Sequence, residues 1–345
     1  MHSTGLPTSL RLEKVESYAI GALVSLGIFS GILLAMGFSP LLSFEAILYG
    51  AFGSVFSATE TFIRVSPLLL GALAFLVAFK SRFFNIGVEG QLYIGALTAY
   101  LAASQLGGLP GLLAVPLVAF AAFAGGVAWL AIPLLMRIKL EVNEVFSTLV
   151  MNFVAVLVIS WLTTGPIKDP IAVNPQTARI PESTWLPVLI PGTRFHLGVF
   201  AAILSAFLIS GILYRTVLGY EIRAVGLNPR AAKHGGVSVA RSLASVGLLS
   251  GGLAGLAGMI EITGTSHLLA QGFSPGFGYQ GIGVAALGGF HPIGALSASI
   301  LFAILSIGGE AMQRGAGVPI EVIYILQATV VLSVLIVQRW ISLRR

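Results

Sequence analysis

The sequence contains no cysteine and few charged residues. The missing cysteine excludes disulfides, thiol catalysis and any metal or haem site that depends on cysteine ligands. Only 9% of the residues are charged and 56% are hydrophobic, whereas a soluble domain usually carries about 25% charged residues. So few charges cannot cover a surface that faces water, and the outer surface is therefore expected to face lipid. The predicted class is an all-α integral membrane protein.

Nine long apolar segments follow one another along the chain, separated by short interruptions. Each is long enough to cross a bilayer as a helix. A shorter glycine-rich piece at 279–290 lies between the seventh and eighth segments, and we expect it to cross as a half-helix buried in protein. The predicted segments lie near 18–38, 61–79, 86–105, 111–136, 144–164, 197–214, 243–264, 293–309 and 319–337.

Lysine and arginine lie mainly on one side of this map. If the N-terminus is cytoplasmic and 279–290 crosses, 14 of the 19 basic residues fall inside. Cytoplasmic loops carry an excess of Lys and Arg, so the bias favours ten crossings with both termini in the cytoplasm. This placement also accounts for the net charge of +6 without nucleic acid as a partner. The five basic residues predicted outside are Arg64, Lys168, Arg179, Arg194 and Arg314.

Three hydrophilic stretches complete a single transmembrane domain over 1–345. They are a cytoplasmic tail at 1–17, an external loop at 165–196 and a cytoplasmic loop at 215–242. The external loop holds six prolines, which exclude a long helix there. We therefore expect it to form an ordered cap.

The two halves of the map show weak inverted symmetry. When the short piece is counted as a crossing, the group formed by crossings two to five begins on the outside. The group formed by crossings seven to ten begins on the inside. Each group has a glycine-broken second member, at 85–96 and 278–289. This arrangement predicts an inverted repeat, and broken helices at such repeat interfaces often line the substrate route of transporters.

Polar side chains interrupt two of the apolar segments. Asn85, Glu89 and Gln91 lie among glycines in FFNIGVEGQ. A carboxylate is costly in hydrocarbon, so Glu89 should face protein or water, either as a helix N-terminal carboxylate or in a direct transport role. In EVNEVFSTLVMN, Asn143 is expected to cap the fifth segment, while Asn152 either bonds to a neighbouring helix or contacts substrate.

The cytoplasmic loop contains a short helix with well-defined ends, in the sequence GLNPRAAKHGGV. Asn228 followed by Pro229 is a favourable helix start, and Gly235 with Gly236 is a favourable end. The helix between them has no apolar stripe. From the residues alone it is either a docking element or a plain connector.

Enzymatic motifs are missing or occur out of context. No G-x-x-x-x-G-K-[ST] phosphate-binding loop occurs in the chain, so we predict no ATP site and no catalytic residue. LSGG lies within an apolar segment, where Gly251 and Gly255 are expected to form a helix-packing face. GFSPG lies in a turn and lacks the strand and helix that flank a hydrolase nucleophile. His267 and His291 lack metal-site spacing, so no metal and no cofactor is expected.

Four motifs occur in the order typical of a known family. FFNIGVEGQ, NEVFSTLVMN, GLNPRAAKHGGV followed by LSGGLAGLAG, and GIGVAALGGFHPIG together resemble the permeases of bacterial ABC importers for branched-chain amino acids, ribose-type sugars and nucleosides. The resemblance covers roughly residues 60–337. KLEVNEVFSTLVMN and FFNIGVEGQLYIGA look most like the nucleoside branch, which is close to the simple-sugar permeases.

The resemblance implies a ten-helix permease of the type II importer class in a bacterial cytoplasmic membrane. Its implied partners are a second permease (usually a different paralogue in the nucleoside branch), a cytoplasmic ATPase that binds the ATP, and an extracytoplasmic binding protein or lipoprotein. The cytoplasmic loop would couple the chain to the ATPase. The residues expected in this coupling are Gly226, Asn228, Pro229, Arg230, Ala231, Ala232, Gly235 and Gly236.

The predicted function is transport of a small polar solute, foremost nucleosides, with simple sugars or branched-chain amino acids as alternatives. A stand-alone secondary transporter would need a buried ion-coupling carboxylate pair, and acids in mid-segment are sparse. Because nucleosides are neutral and polar, their path is expected to offer amide, hydroxyl and aromatic groups. The candidate path residues are Asn85, Glu89, Gln91, Asn152, Tyr279 and Gln280.

Overall fold

The computed structural model describes residues 8–343, and for 8–17 and 342 it describes the backbone only. The first seven residues of the predicted tail 1–17 and the two C-terminal arginines lie outside the described residues. Within the described part the backbone forms thirteen α-helices, two isolated β-bridges and no sheet, which confirms the predicted class. The helices are α1 (Thr8–Ala35), α2 (Pro40–Phe52), α3 (Val55–Lys80), α4 (Val88–Gln105), α5 (Gly111–Leu140), α6 (Glu144–Thr164), α7 (Gly198–Arg215), α8 (Val217–Leu227), α9 (Pro229–His234), α10 (Val239–Ile260), α11 (Phe277–Leu287), α12 (Pro292–Ala316) and α13 (Glu321–Leu343).

Eight of the described helices are long and apolar enough to cross a membrane: α1, α3, α5, α6, α7, α10 with its continuation, α12 and α13. The 18-residue α4 is not among them. Its residues 88–97 are all buried, so protein surrounds them and their composition need not suit lipid. The 11-residue α11 is too short to cross alone, as predicted for the piece at 279–290.

Two helices are absent from the sequence map. The 13-residue α2 lies between the first two predicted segments, and a search for bilayer-length runs passes over a helix of that length. The 11-residue α8 lies in the predicted cytoplasmic loop 215–242, and its Ile222 and Val225 are buried. The first helix also begins at Thr8 rather than near residue 18.

Two compact units divide the chain. One consists of the residues up to Thr61 together with those from Leu301 on, and the other is Phe62–Ile300. In the first unit, α1 packs along α13 where Gly21 lies against Val334, and α2 packs on α12 where Gly50 lies against Ala311. The apolar core of this unit includes Phe29, Leu33, Ile47, Met312, Val322, Ile323 and Leu326.

In the second unit, α4, α5 and α10 pack together through glycines. Gly95 of α4 lies against Gly255 of α10, and Gly126 of α5 lies against Gly251. A Cβ at any of these positions would meet backbone atoms of the neighbouring helix. Small residues allow membrane helices to approach this closely, and the packing face predicted at Gly251 and Gly255 is confirmed.

The second members of the predicted repeat differ from each other. The first, α4, runs without a break from Val88 to Gln105, so the break predicted at 85–96 is confined to the turn before Val88. The second, α11, has only 11 residues. It is preceded by a π-helical turn, Glu261–Ser266, that continues α10, and then by an irregular lead-in at 267–276.

Candidate functional site

A pair of amides closes the turn before α4. The Asn85 side chain donates to the Gln91 side-chain oxygen (2.9 Å) and accepts from the Gln91 amide (2.8 Å). It also donates to the Ser250 hydroxyl of α10 (2.9 Å), which in turn donates to the carbonyl of Ala74 in α3 (2.7 Å). Asn85, Gln91 and Ser250 are at most 1% exposed. This network therefore joins α3, α4 and α10.

Asn152 of α6 caps the start of α4. Its side-chain oxygen accepts from the backbone N–H of Gly90 (2.8 Å), and its amide donates to the carbonyl of Ile86 (2.9 Å). The same amide lies 3.1 Å from the Tyr279 hydroxyl of α11. The first N–H groups of a helix have no partner within the helix, and α4 receives one from 62 positions further along the chain.

Glu89 of α4 caps the start of α11. One carboxylate oxygen accepts from the backbone N–H of Gly278 at 2.6 Å, and the Ser274 hydroxyl is a second hydrogen-bond partner. The side chain is 3% exposed, so the carboxylate is buried among donors at the positive end of a helix. Glu89 thus does act as a helix N-terminal carboxylate, on a helix other than its own.

Glycines bring α11 against the two helices that flank it. Gly278 lies against the backbone of Glu89 in α4, and Gly281 lies against Gly71 in α3. A Cβ on either α11 glycine would overlap backbone atoms. Because backbone cannot yield as a long side chain can, α11 fits here only with glycine at these two positions.

Tyr279 and Gln280 are the most accessible of the predicted path residues. Tyr279 is 41% exposed, and its hydroxyl is held by Asn152. The Gln280 amide donates to the carbonyl of Pro275 (3.1 Å), while its side-chain oxygen is buried without a hydrogen-bond partner. The start of α11 therefore offers the aromatic face of Tyr279, and its polar side chains, Tyr279 and Gln280, are both uncharged.

The structure thus brings the six predicted path residues to the starts of α4 and α11, but in two different settings. Asn85, Glu89, Gln91 and Asn152 are buried and engaged with protein groups. Two members of the site, Ser250 and Ser274, were not among the predicted residues. A lone hydroxyl in the apolar run LSGGLAGLAG was the available signal for Ser250, and Ser274 was interpreted only as part of a turn.

The predicted cytoplasmic helix is present as α9, with the predicted ends. The Asn228 side chain accepts from the backbone N–H groups of Arg230 (3.0 Å) and Ala231 (3.1 Å), and Pro229 is the first helical residue. At the other end, the Gly235 N–H donates a hydrogen bond to the Ala231 carbonyl (2.9 Å). Gly236 follows with φ +85°, a conformation that favours glycine. Local sequence therefore accounts for the whole element.

The predicted coupling residues divide into exposed and buried groups. Arg230 and Ala231 are exposed, whereas Ala232 is 8% exposed and packs inward. Gly226 is also buried, because it lies against the carbonyl of Lys80 at the end of α3. A direct contact of Ala232 or Gly226 with another protein does not agree with this burial. The exposed members are Asn228, Pro229, Arg230, Ala231, Gly235 and Gly236.

A cleft of about 1040 Å³ opens beside α9. The turn after α3, the end of α5 and the start of α10 form its walls, and Arg82, Arg137, Lys233 and Glu141 line it. Arg137 also pairs with Glu144 at 3.2 Å. The surface around α9 is therefore mainly basic.

The histidines considered in the sequence lie in aromatic contacts. His267 stacks on Trp185 with ring centroids 3.7 Å apart, and His291 stacks on Tyr214 at 5.0 Å. Within residues 8–343, no three His, Cys, Asp or Glu side chains converge as a metal site would require.

In the described part of the chain, eight apolar helices of membrane-spanning length, with a short half-helix packed among them, define a multi-pass membrane protein. The chain belongs to the family described as branched-chain amino acid transport system / permease component, whose model matches residues 57–335. It is therefore a membrane permease subunit of the ABC transporter class, in agreement with the resemblance predicted over residues 60–337. No solved structure matches the chain significantly.

Curated relatives cover most of the chain. The guanosine ABC transporter permease protein NupP of Bacillus subtilis is 34% identical over 90% of this chain and 90% of its own length. The glucose ABC transporter permease protein TsgB13 of Haloferax volcanii is 34% identical over 87% of this chain and 81% of its own. The nucleoside ABC transporter permease protein NupB of Lactococcus lactis is 32% identical over 87% and 85%.

Each of these three organisms has a second, more distant relative with a matching name. Bacillus subtilis has the guanosine permease protein NupQ, 29% identical over 80% of this chain and 88% of its own length. Lactococcus lactis has the nucleoside permease protein NupC, 27% identical over 72% and 81%. Permeases of this class therefore occur as paralogous pairs in one organism.

Proposed function

We propose that the chain is one of two different permease subunits of an importer that carries nucleosides. The observation that carries this proposal is the match to a guanosine permease over nine-tenths of both chains. The accessible groups at the start of α11 agree with it, because Tyr279 and Gln280 are uncharged and nucleosides are neutral. The exposed ring of Tyr279 can stack on a base.

The six path residues then have two roles. Tyr279 and Gln280 contact the solute, while Asn85, Gln91, Asn152 and Glu89 hold the helices on which the path is built. The satisfied hydrogen bonds of the Asn85–Gln91 pair support this division, because a side chain already bonded in the protein gains little by contacting solute.

The partners follow from the same class. ATP is bound by a cytoplasmic ATPase that docks on the exposed face of α9, and solute arrives from an extracytoplasmic binding protein or lipoprotein. The second permease is a paralogue, which the NupP–NupQ and NupB–NupC pairs support. The chain itself needs no cofactor and catalyses no reaction.

The proposed location is the bacterial cytoplasmic membrane, with ten crossings and both termini inside. The 14 of 19 basic residues on the inner side support this orientation. A reporter that is active only outside the cytoplasm, fused to the C-terminus, should be inactive. Activity of that reporter would contradict the orientation.

A simple sugar is the second candidate solute, because the glucose permease TsgB13 is as similar in identity as NupP. The two are separated by reconstituting the chain with its second permease, ATPase and binding protein in proteoliposomes. With ATP on the cytoplasmic side, labelled guanosine should accumulate and labelled glucose and leucine should not. Accumulation of glucose without guanosine would replace the proposed solute.

The same vesicles test a secondary transporter. The chain alone, under a proton or sodium gradient, should accumulate no guanosine. The buried carboxylate of Glu89 is already bound to the start of α11, which leaves no free acid there for ion coupling. Gradient-driven uptake by the chain alone would contradict the proposal of an ATP-driven importer.

A further inference from the structure

The external loop 165–196, here called the external cap, is fastened to the lead-in of the half-helix, residues 267–276. Residues 175–180 of the cap run alongside 267–271, with Gln176 and Ala270 directly opposite each other in an antiparallel bridge. We call this pairing the ladder. Its four hydrogen bonds are Thr177 N to Leu269 O (3.0 Å), Leu269 N to Thr177 Oγ1 (3.0 Å), Ile180 N to His267 O (2.9 Å) and Gln271 N to Pro175 O (3.0 Å).

Thr177 occupies the centre of the ladder. Its backbone N–H and its hydroxyl oxygen both engage Leu269. Thr177 is 1% exposed and Leu269 is 0% exposed, so water cannot replace the hydroxyl as an acceptor. A donor buried without a partner is costly, so loss of this hydroxyl would remove one of the four ladder bonds and leave the Leu269 N–H without its acceptor.

The part of the lead-in between the ladder and α11 is held by contacts of its own. The Ser274 hydroxyl accepts from the N–H groups of Gly276 and Phe277, each at 3.2 Å. The ring of Phe273 packs on Tyr93 of α4, with centroids 4.7 Å apart. Phe273 and Ser274 are therefore both held within the short segment that joins Leu269 to the start of α11.

The first turn of α11 carries the groups assigned above to the solute. Gly278 is held there by Glu89, and the Tyr279 hydroxyl by Asn152. These contacts hold α11 from the membrane side, while the ladder holds its lead-in from the external side. The position of Tyr279 is therefore set by both.

We propose that Thr177 is a positioning residue of the half-helix: through the ladder, the external cap determines where the first turn of α11 lies. The role of this positioning in transport rests on the proposed function. The cap then takes part in transport. A protein that displaces the cap from outside would change the positions of Tyr279 and Gln280.

The test compares two buried threonines of the cap in the full transporter in lipid nanodiscs. Thr177→Val keeps the shape and removes the ladder acceptor. Thr184→Val is the matched control, because the Thr184 hydroxyl bonds only within the cap, to the Pro181 carbonyl at 2.6 Å, and is equally buried. Thr177→Ser retains the hydroxyl.

Two quantities are measured: amide hydrogen exchange, and maximal uptake rate in proteoliposomes. Thr177→Val should raise exchange at least tenfold both at Leu269 and at 276–280, and should lower the uptake rate at least fivefold. Thr184→Val and Thr177→Ser should match the unmodified chain in both. Faster exchange confined to Leu269, with normal exchange at 276–280, would overturn the proposal.

A disulfide that restores the link between the cap and the lead-in tests whether Thr177→Val acts by displacing α11 or by destabilising the whole protein. Gln176 and Ala270 lie opposite each other in the ladder, a separation that suits a disulfide, and the chain has no other cysteine. Gln176→Cys with Ala270→Cys, added to Thr177→Val, should restore slow exchange at 276–280 and uptake when oxidised, and lose both on reduction. An oxidised pair that restores neither would overturn the proposal.

The exchange measurement needs no solute, so the two proposals can fail separately. If no guanosine is carried but exchange at 276–280 responds to Thr177→Val, the proposed solute is wrong and the positioning role stands. If guanosine is carried and exchange at 276–280 does not respond, the positioning role is wrong and the proposed function stands.

Discussion

The half-helix α11 and the helix α9 are both short, but the side chains that cap them come from different distances along the chain. Asn228 caps α9 from the adjacent position in the chain. The carboxylate that caps α11 comes from Glu89, 189 positions away. A helix capped by residues adjacent to it in the chain can form at a surface. Ser274 accepts locally from the Phe277 N–H of α11, but the Gly278 N–H finds its acceptor only when α4 is packed beside it. Thus α9 is a local structure, whereas α11 depends on the tertiary fold.

The largest expected effect is on the distant cap of α11. Glu89→Ala leaves the Gly278 N–H buried without an acceptor and should lower the free energy of unfolding by about 2–3 kcal/mol. Glu89→Gln keeps an acceptor oxygen and should cost about 1 kcal/mol or less. Thermal unfolding of the purified chain in nanodiscs measures both. Equal losses for the two variants would show that the charge, rather than the hydrogen bond, holds the helix.

Adjacent alanines of α9 test whether its faces differ. Ala232 is buried, so Ala232→Arg should overpack its site and lower the free energy of unfolding by about 1–3 kcal/mol. Ala231 is exposed, so Ala231→Arg should stay within about 0.5 kcal/mol while reducing ATPase co-purification and uptake. Normal co-purification and uptake with Ala231→Arg would mean that α9 is only a connector.

Lowering the pH should destabilise the external cap through protonation of His196. Burial, with His267 and Arg194 nearby, lowers the pKa of His196 from 6.5 to about 4. Between pH 6.5 and 4 the unfolded cap therefore binds a proton at His196 that the folded cap does not bind. The free energy of unfolding of the cap is highest above pH 6.5 and decreases as the pH falls towards 4. At pH 5.5 the loss should be about 1 kcal/mol.

Amide exchange of the cap between pH 7 and 5, corrected for intrinsic rates, measures this loss. Burial also lowers the pKa of His267, with Arg179 and Arg194 adding to the effect, so the remaining dependence in a His196 variant belongs to His267. His196→Asn keeps an acceptor for the Gly198 N–H, which His196 Nδ1 accepts at 3.2 Å, but cannot titrate. An unchanged pH dependence in this variant would exclude His196 as the source.

The smallest expected effect is on the local cap of α9. Asn228→Ala removes the acceptor for Arg230 and Ala231 and should cost about 1 kcal/mol, confined to this helix. Asn228→Asp retains the acceptor and serves as the control. Amide exchange should accelerate within Pro229–His234 and stay unchanged in α10. Acceleration that extended through α10 would show that α9 is not an independent local element.

The sequence predicted the fold well wherever the signal was local. The apolar runs placed the long helices, the sequence NPRAAKHGG placed α9 within a residue, and Asn143 caps α6 through the Val145 N–H as expected. The same approach missed α2, because its 13 residues are too few for a bilayer-length run. It also grouped Ala232 with Ala231, since adjacent residues of a six-residue helix give no periodicity from which to tell the buried face.

For the candidate site, the sequence identified the polar residues but not their partners. Asn85, Gln91 and Asn152 stand out because an amide is unusual in an apolar segment. Whether such an amide faces solute or another helix depends on what packs beside it. Ser250 and the carbonyl of Ala74, which complete the Asn85 network, come from segments far along the chain.

By itself, the amino-acid sequence determined the class of this protein, its long helices and its locally capped ends, because hydrophobic length and capping act over a few residues. Only the tertiary structure decided that Glu89 of α4 holds α11, that Asn152 of α6 holds α4, and that the external cap is fastened to the lead-in at Leu269. Helix ends in an apolar interior must find hydrogen-bond partners. Which partner each end finds depends on which helices the glycine contacts bring together.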